Sequence, residues 1–366
     1  EVTQTDSVGN TSSVVTKLLN VNSTLVASGD QSARDMSAVT KLILNGDLTA
    51  LPSTTEKLPL AIDANGFNIT AANNGVDISA IPITNVKNLI VADGVTLTLT
   101  VSQAHSFNST NDTVINVNTS GVAAVTSGGD LSSFHLASVT LTLNAHTTLP
   151  NTTAEIPKAI NAGGQYNITL SDSVDISSAA ITNYSDLTLA DGKNVTMSLA
   201  QHDGFGTLTA TGANILTLSD AGTVAAKSNI ETYVLANGGG TTITIGANGQ
   251  NVTTGNGADT IDVGARTATG TFTSSATSTI KLSDGANITG VDAEGNGAGT
   301  AFTANNLTLA NNASATMTAA QNNSFTDTID GAGTNTITIS DAAAVSGLAG
   351  IETYALAAGA QTFTLG

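Results

Sequence analysis

Residues 214–246 read NILTLSDAGTVAAKSNIETYVLANGGGTTITIG, and residues 335–366 repeat them as NTITISDAAAVSGLAGIETYALAAGAQTFTLG. Each copy is a string of short runs of aliphatic residues and threonine, most of them closed by a Ser-Asp or glycine-rich break. The runs alternate and favour β-branched residues, as a strand with one face on a core does. The breaks hold Asp, Asn and Gly, which accept left-handed backbone and bond nearby backbone groups. Sandwich strands run to about 5–6 residues, with turn signals every 8–12. Runs of about four residues, packed this closely, instead predict a parallel β-solenoid, in which coils stack like residues above one another.

The same vocabulary extends outward as LTL, VTMSL, DTIDV and STIKL. TLTLTVSQAHSF (96–107) returns as TMSLAQHDGF (196–205) and TMTAAQNNSF (316–325), aligning Gln103, Gln201 and Gln321, and likewise Phe107, Phe205 and Phe325. The fold class expected is therefore all-β, a parallel β-solenoid of β-helix or β-roll type, built from three tandem repeat units. Residues 1–35 read as an N-terminal cap or linker. Units follow at 36–133, 134–255 and 256–366, the last incomplete and expected to continue in a longer parent chain. The chain begins without Met and without a signal-peptide pattern, which reads as a processed chain or a piece.

Composition agrees. Of 366 residues, 40% are hydrophobic but 3% aromatic, so a core has to be narrow and filled with small aliphatics. Net charge is -18, and Arg34 and Arg266 are the two arginines, which excludes nucleic-acid binding by clustered cations. No run approaches the 18 apolar residues of a membrane span. With no Cys, disulfides, thiolate metal sites and Cys nucleophiles are excluded. Neither HxxxH, HExxH nor a Ser/His/Asp arrangement occurs, and His105, His135, His146 and His202 read as surface or turn residues. The recurring Gln and Phe read as structural, with Phe plugging a coil end and Gln bonding free backbone.

Thr254-Gly255-Asn256-Gly257-Ala258-Asp259-Thr260-Ile261-Asp262 resembles the glycine-rich nonapeptide of RTX (haemolysin-type) calcium-binding β-rolls. The resemblance implies Ca²⁺ as a cofactor, with Gly255, Gly257, Asp259 and Asp262 as its candidate site. Thr254 replaces the first glycine of that pattern, and neither flanking stretch repeats it. A second, weaker set is the aspartates at strand ends, Asp93, Asp191, Asp220, Asp284 and Asp341. These read first as turn residues bonding their own backbone, and second as stacked carboxylates whose repulsion calcium would relieve.

Together with NIETYVLANG (229–238) and GIETYALAAG (350–359), this style is similar to that of RTX-type bacterial exoproteins, among them S-layer proteins and large surface adhesins. The resemblance implies secretion to the cell surface. It implies self-association into a lattice or filament, with cell-surface polysaccharide or lipopolysaccharide as a further partner. An adhesin or adhesin stalk is the alternative. A polysaccharide-acting β-helix enzyme is disfavoured by the absence of Trp and the scarcity of Arg. An ice-binding solenoid is disfavoured because the Thr-x-Thr pairs are irregularly spaced. The chain reads as a non-enzyme.

Overall fold

The computed structural model describes residues 24–108, 114–117, 122–275, 277–293, 297–299, 301–302, 306–329, 332–359 and 362–365. The chain divides into two compact units, residues 1–125 and 126–366. Within each, short strands pair in parallel with strands one coil away in the chain, which makes each a parallel β-solenoid, as expected.

In the first unit Thr24–Asp30 lies parallel to Lys41–Ala50. Thr24–Asp30 falls in the segment read as a cap or linker, whose residues 1–23 lie outside the described ones. Leu42 and Ile62 form one core column, continued by the half-buried Ile83, and Leu48, Ile69, Leu89 and Ile115 form a second. Val76, Leu97 and Ala123 form a third.

The second unit has longer columns. Val195, Leu216, Tyr233, Val252, Phe272 and Ala293 stack on successive strands, and so do Val224, Ile243, Ile261, Ile280 and Leu307. Adjacent strands lie about 4.8 Å apart, so aliphatic side chains in a column touch their neighbours above and below. Strands such as Ile215–Leu218 and Thr336–Ile339 alternate half-buried and buried residues, with Thr217, Thr336 and Thr338 at outer positions. Each buried Leu or Ile contributes about 1.5–3 kcal/mol.

The coil step varies. Thr260 pairs with Thr279, 19 residues on, whereas Thr279 pairs with Asn306, 27 residues on. The column Ile261, Ile280, Leu307 nevertheless continues unbroken.

Among the described residues, three short α-helices interrupt the strands: α1 (Val101–Asn108), α2 (Leu199–Gly204) and α3 (Ala319–Ser324). They coincide with the recurring Gln-to-Phe segments. No described helix is long and apolar enough to cross a membrane.

Candidate functional site

The nonapeptide 254–262 places its two carboxylates in different surroundings. Asp259 is fully buried. Its Oδ1 accepts from the Thr241 N–H at 2.6 Å and its Oδ2 from the Gly255 N–H at 2.7 Å. Asp262, three residues on, accepts from Lys281 Nζ at 2.7 Å and from the Gly264 N–H at 2.9 Å. The glycines serve close packing. A Cβ on Gly255 would clash with the Ala236 carbonyl oxygen, and one on Gly257 with the Gly239 carbonyl oxygen.

Calcium takes six to eight oxygen ligands, in a β-roll from adjoining turns. Here Asp259 is met by nitrogen donors from the adjoining coil and its own loop, and Asp262 by an ammonium group. The positions paired with or flanking Asp259 on neighbouring coils are Thr241 and Ser278, not carboxylates. So arranged, Gly255, Gly257, Asp259 and Asp262 do not fit a calcium site. They fit a buried carboxylate that satisfies two backbone donors where two coils meet.

The strand-end aspartates do not converge either. Among the described residues no group of three or more His, Cys, Asp or Glu gathers as a metal site would require. Asp93 and Asp191 sit exposed in turns closed by Val95 N–H to Ala92 O (3.2 Å) and Lys193 N–H to Ala190 O (3.1 Å). Asp220, Asp284 and Asp341 accept from Leu199, Ser314 and Ala319 N–H at 2.7, 2.9 and 2.7 Å. These partners lie on a neighbouring coil, not in the aspartate's own turn. Leu199 and Ala319 open α2 and α3, so Asp220 and Asp341 place negative charge at helix N-termini, where it is favourable.

The recurring glutamines form the most consistent constellation. Gln201 Nε2 donates to Ile176 O and Ala179 O at 2.7 and 2.9 Å, while its Oε1 accepts from the Ser198 N–H at 2.8 Å. Gln103 does the same with Ile78 O, Ile81 O and the Thr100 N–H. Gln321 bonds Ile288 O, Val291 O and the Thr318 N–H. Ser198 with Gln201, and Thr318 with Gln321, close capping boxes on α2 and α3. Each glutamine therefore ties its helix to the turn one coil earlier. Phe107, Phe205 and Phe325 are buried beside them, as expected. Gln250, outside the repeated segment, plays the same part without a helix, donating to Lys227 O and Ile230 O at 2.7 and 2.8 Å.

The IETY phrases complete this framework. Glu231 and Glu352 accept from the Asn214 and Asn335 N–H at 3.1 and 2.7 Å. Tyr233 and Tyr354 accept from the Lys227 and Leu348 N–H, both at 2.8 Å. His202 is fully buried against Tyr233, contrary to the surface or turn position expected of it. The signal that could have found it is the repeat offset, which aligns His202 with Asn322 and Tyr233 with Tyr354.

No protein-family model, curated protein or solved structure matches this chain.

Proposed function

We propose that this chain is a structural, self-assembling protein of the bacterial cell surface, an S-layer or extracellular filament subunit of RTX-like style. The observation that supports the reading is where the recurring polar side chains end. Gln103, Gln201, Gln321, Asp259, Glu231 and Glu352 all bond backbone groups, most of them on an adjoining coil. Groups used in this way maintain a scaffold. Outside the core, Thr223, Thr242, Thr260 and Thr279 stack on successive strands as a row of short, uncharged side chains. Such a row is a repetitive, nearly flat surface suited to contact with another copy or with cell-surface polysaccharide.

Light scattering and electron microscopy over a range of concentrations, with calcium and with chelator, test the reading. Ordered sheets or filaments are the expected result. A strictly monomeric 36.3 kDa species at high concentration in both conditions would overturn it.

A further inference from the structure

The residue after the recurring glutamine differs among the three copies. It is Ala104, His202 and Asn322 in turn, and all three are fully buried. In the third copy Tyr354 donates its hydroxyl proton to Asn322 Oδ1 at 3.2 Å, while the Asn322 amide donates to Ser346 O at 2.8 Å. In the second copy the Tyr233 hydroxyl lies 3.2 Å from His202 Nε2. Each tyrosine oxygen also accepts the backbone N–H six residues before it, at Lys227 or Leu348, and so closes a turn. Both tyrosines thus rely on the helix residue as the acceptor of their hydroxyl proton. An amide fills that role at any pH. An imidazole fills it only while Nε2 is unprotonated.

The tautomer follows from the other ring nitrogen. His202 Nδ1 lies 2.9 Å from Asp203 Oδ1, and an ionised carboxylate only accepts, so Nδ1 carries the proton and Nε2 the lone pair. A proton on Nε2 would reverse the bond, so that the Tyr233 oxygen accepts a second N–H beside that of Lys227 and its hydroxyl proton is left without a partner. Burial acts most strongly on the ring and pushes its proton affinity below the ordinary histidine range. The exposed Asp203 carboxylate works against that shift, and Lys227 works with it. Tyr233, whose phenol burial pushes up, stays neutral and adds no charge.

We propose that the His202–Tyr233 contact is an acid-sensitive joint, in which protonation of His202 releases the 227–233 turn from α2 while the Asn322–Tyr354 contact stays closed. The sign follows from linkage. Between the free histidine value of about 6.5 and the lower value of the closed joint, the open segment binds a proton that the closed one does not. Closure is therefore fully stable above about pH 6.5 and weakens as pH falls. The opening equilibrium rises by up to about tenfold per pH unit until the closed joint itself protonates.

Hydrogen exchange of the full chain across this pH range, corrected for intrinsic exchange rates, tests the joint. Amides of 199–205 and 226–234 should open progressively relative to those of 319–325 and 347–355. His202→Asn should abolish the difference, and Asn322→His should extend the acid opening to the third copy. Parallel pH profiles for both copies, or identical profiles for the native chain and His202→Asn, would overturn the proposal. If His202→Asn fails to fold, Asn322→His and an NMR titration of the His202 ring decide. Titration at the free-histidine value, or no acid opening in Asn322→His, would refute the joint.

Discussion

Replacing Gln201 with alanine is the most direct probe of how the coils are held. The change removes bonds to Ile176 O, Ala179 O and the Ser198 N–H together. Ile176 O keeps the Ala179 N–H at 3.0 Å, so its loss is small. Ala179 is buried and its carbonyl gives up this side-chain donor, while Ser198 is only half-buried. At about 1–3 kcal/mol for an orphaned buried group and somewhat less for a wetter one, the expected cost is about 2–4 kcal/mol. Denaturant unfolding measures that loss, and hydrogen exchange should show it centred on residues 176–182 and 198–205. Gln201→Glu sharpens the test. Its carboxylate still accepts from Ser198 but turns a second oxygen toward two carbonyl oxygens. Burial and those carbonyls disfavour the charged form, so the folded-state pKa of the new Glu is raised. The variant should then be at its worst at neutral pH and recover as pH falls through that value. A cost under about 1 kcal/mol for Gln201→Ala, or Gln201→Glu tolerated at pH 7, would refute the reasoning.

Asp259→Asn retains one acceptor but aims an amide N–H₂ at a backbone donor, and should cost about 1–3 kcal/mol in thermal or denaturant unfolding. That cost should be the same in calcium and in chelator, and a loss confined to calcium would show that the carboxylate binds the ion after all. Gly255→Ala drives a methyl into the Ala236 carbonyl and should cost about 1–3 kcal/mol. Gly249→Ala, whose new Cβ would come no closer than 3.8 Å to Thr269 Oγ1, is the matched control and should be nearly neutral.

The strands were legible because a two-residue alternation shows itself within four residues. ILTL, TTITI, STIKL and NTITI all contain strands, at Ile215–Leu218, Thr242–Thr244, Thr279–Leu282 and Thr336–Ile339. The helices were not legible. α2 and α3 hold six residues and α1 eight, at most about two turns, too few for a 3.6-residue period to emerge. The cue was the cap spacing, Thr100 to Gln103, Ser198 to Gln201 and Thr318 to Gln321. The aspartates were placed correctly in turns, but the partners of Asp220, Asp284 and Asp341 lie 21 to 30 residues away. A bond across coils leaves no trace in the local sequence. The nonapeptide is open to two readings for a related reason. The spacing of Gly255, Gly257 and Asp259 suits a cation loop, and it equally suits glycines pressed against a neighbouring backbone with a buried cap between them.

The uneven coil step bears on how such a chain can change. A step of 27 residues sits beside steps of 18 and 19, yet Ile243, Ile261, Ile280 and Leu307 remain in one file. Closing a longer corner adds only a few tenths of a kcal/mol, because loop entropy grows with the logarithm of length. Additions and deletions at corners are therefore edits that leave the reading frame of the ladder intact. The step from Thr279 to Asn306, eight residues longer than the one before it, shows how much added chain a single coil accepts.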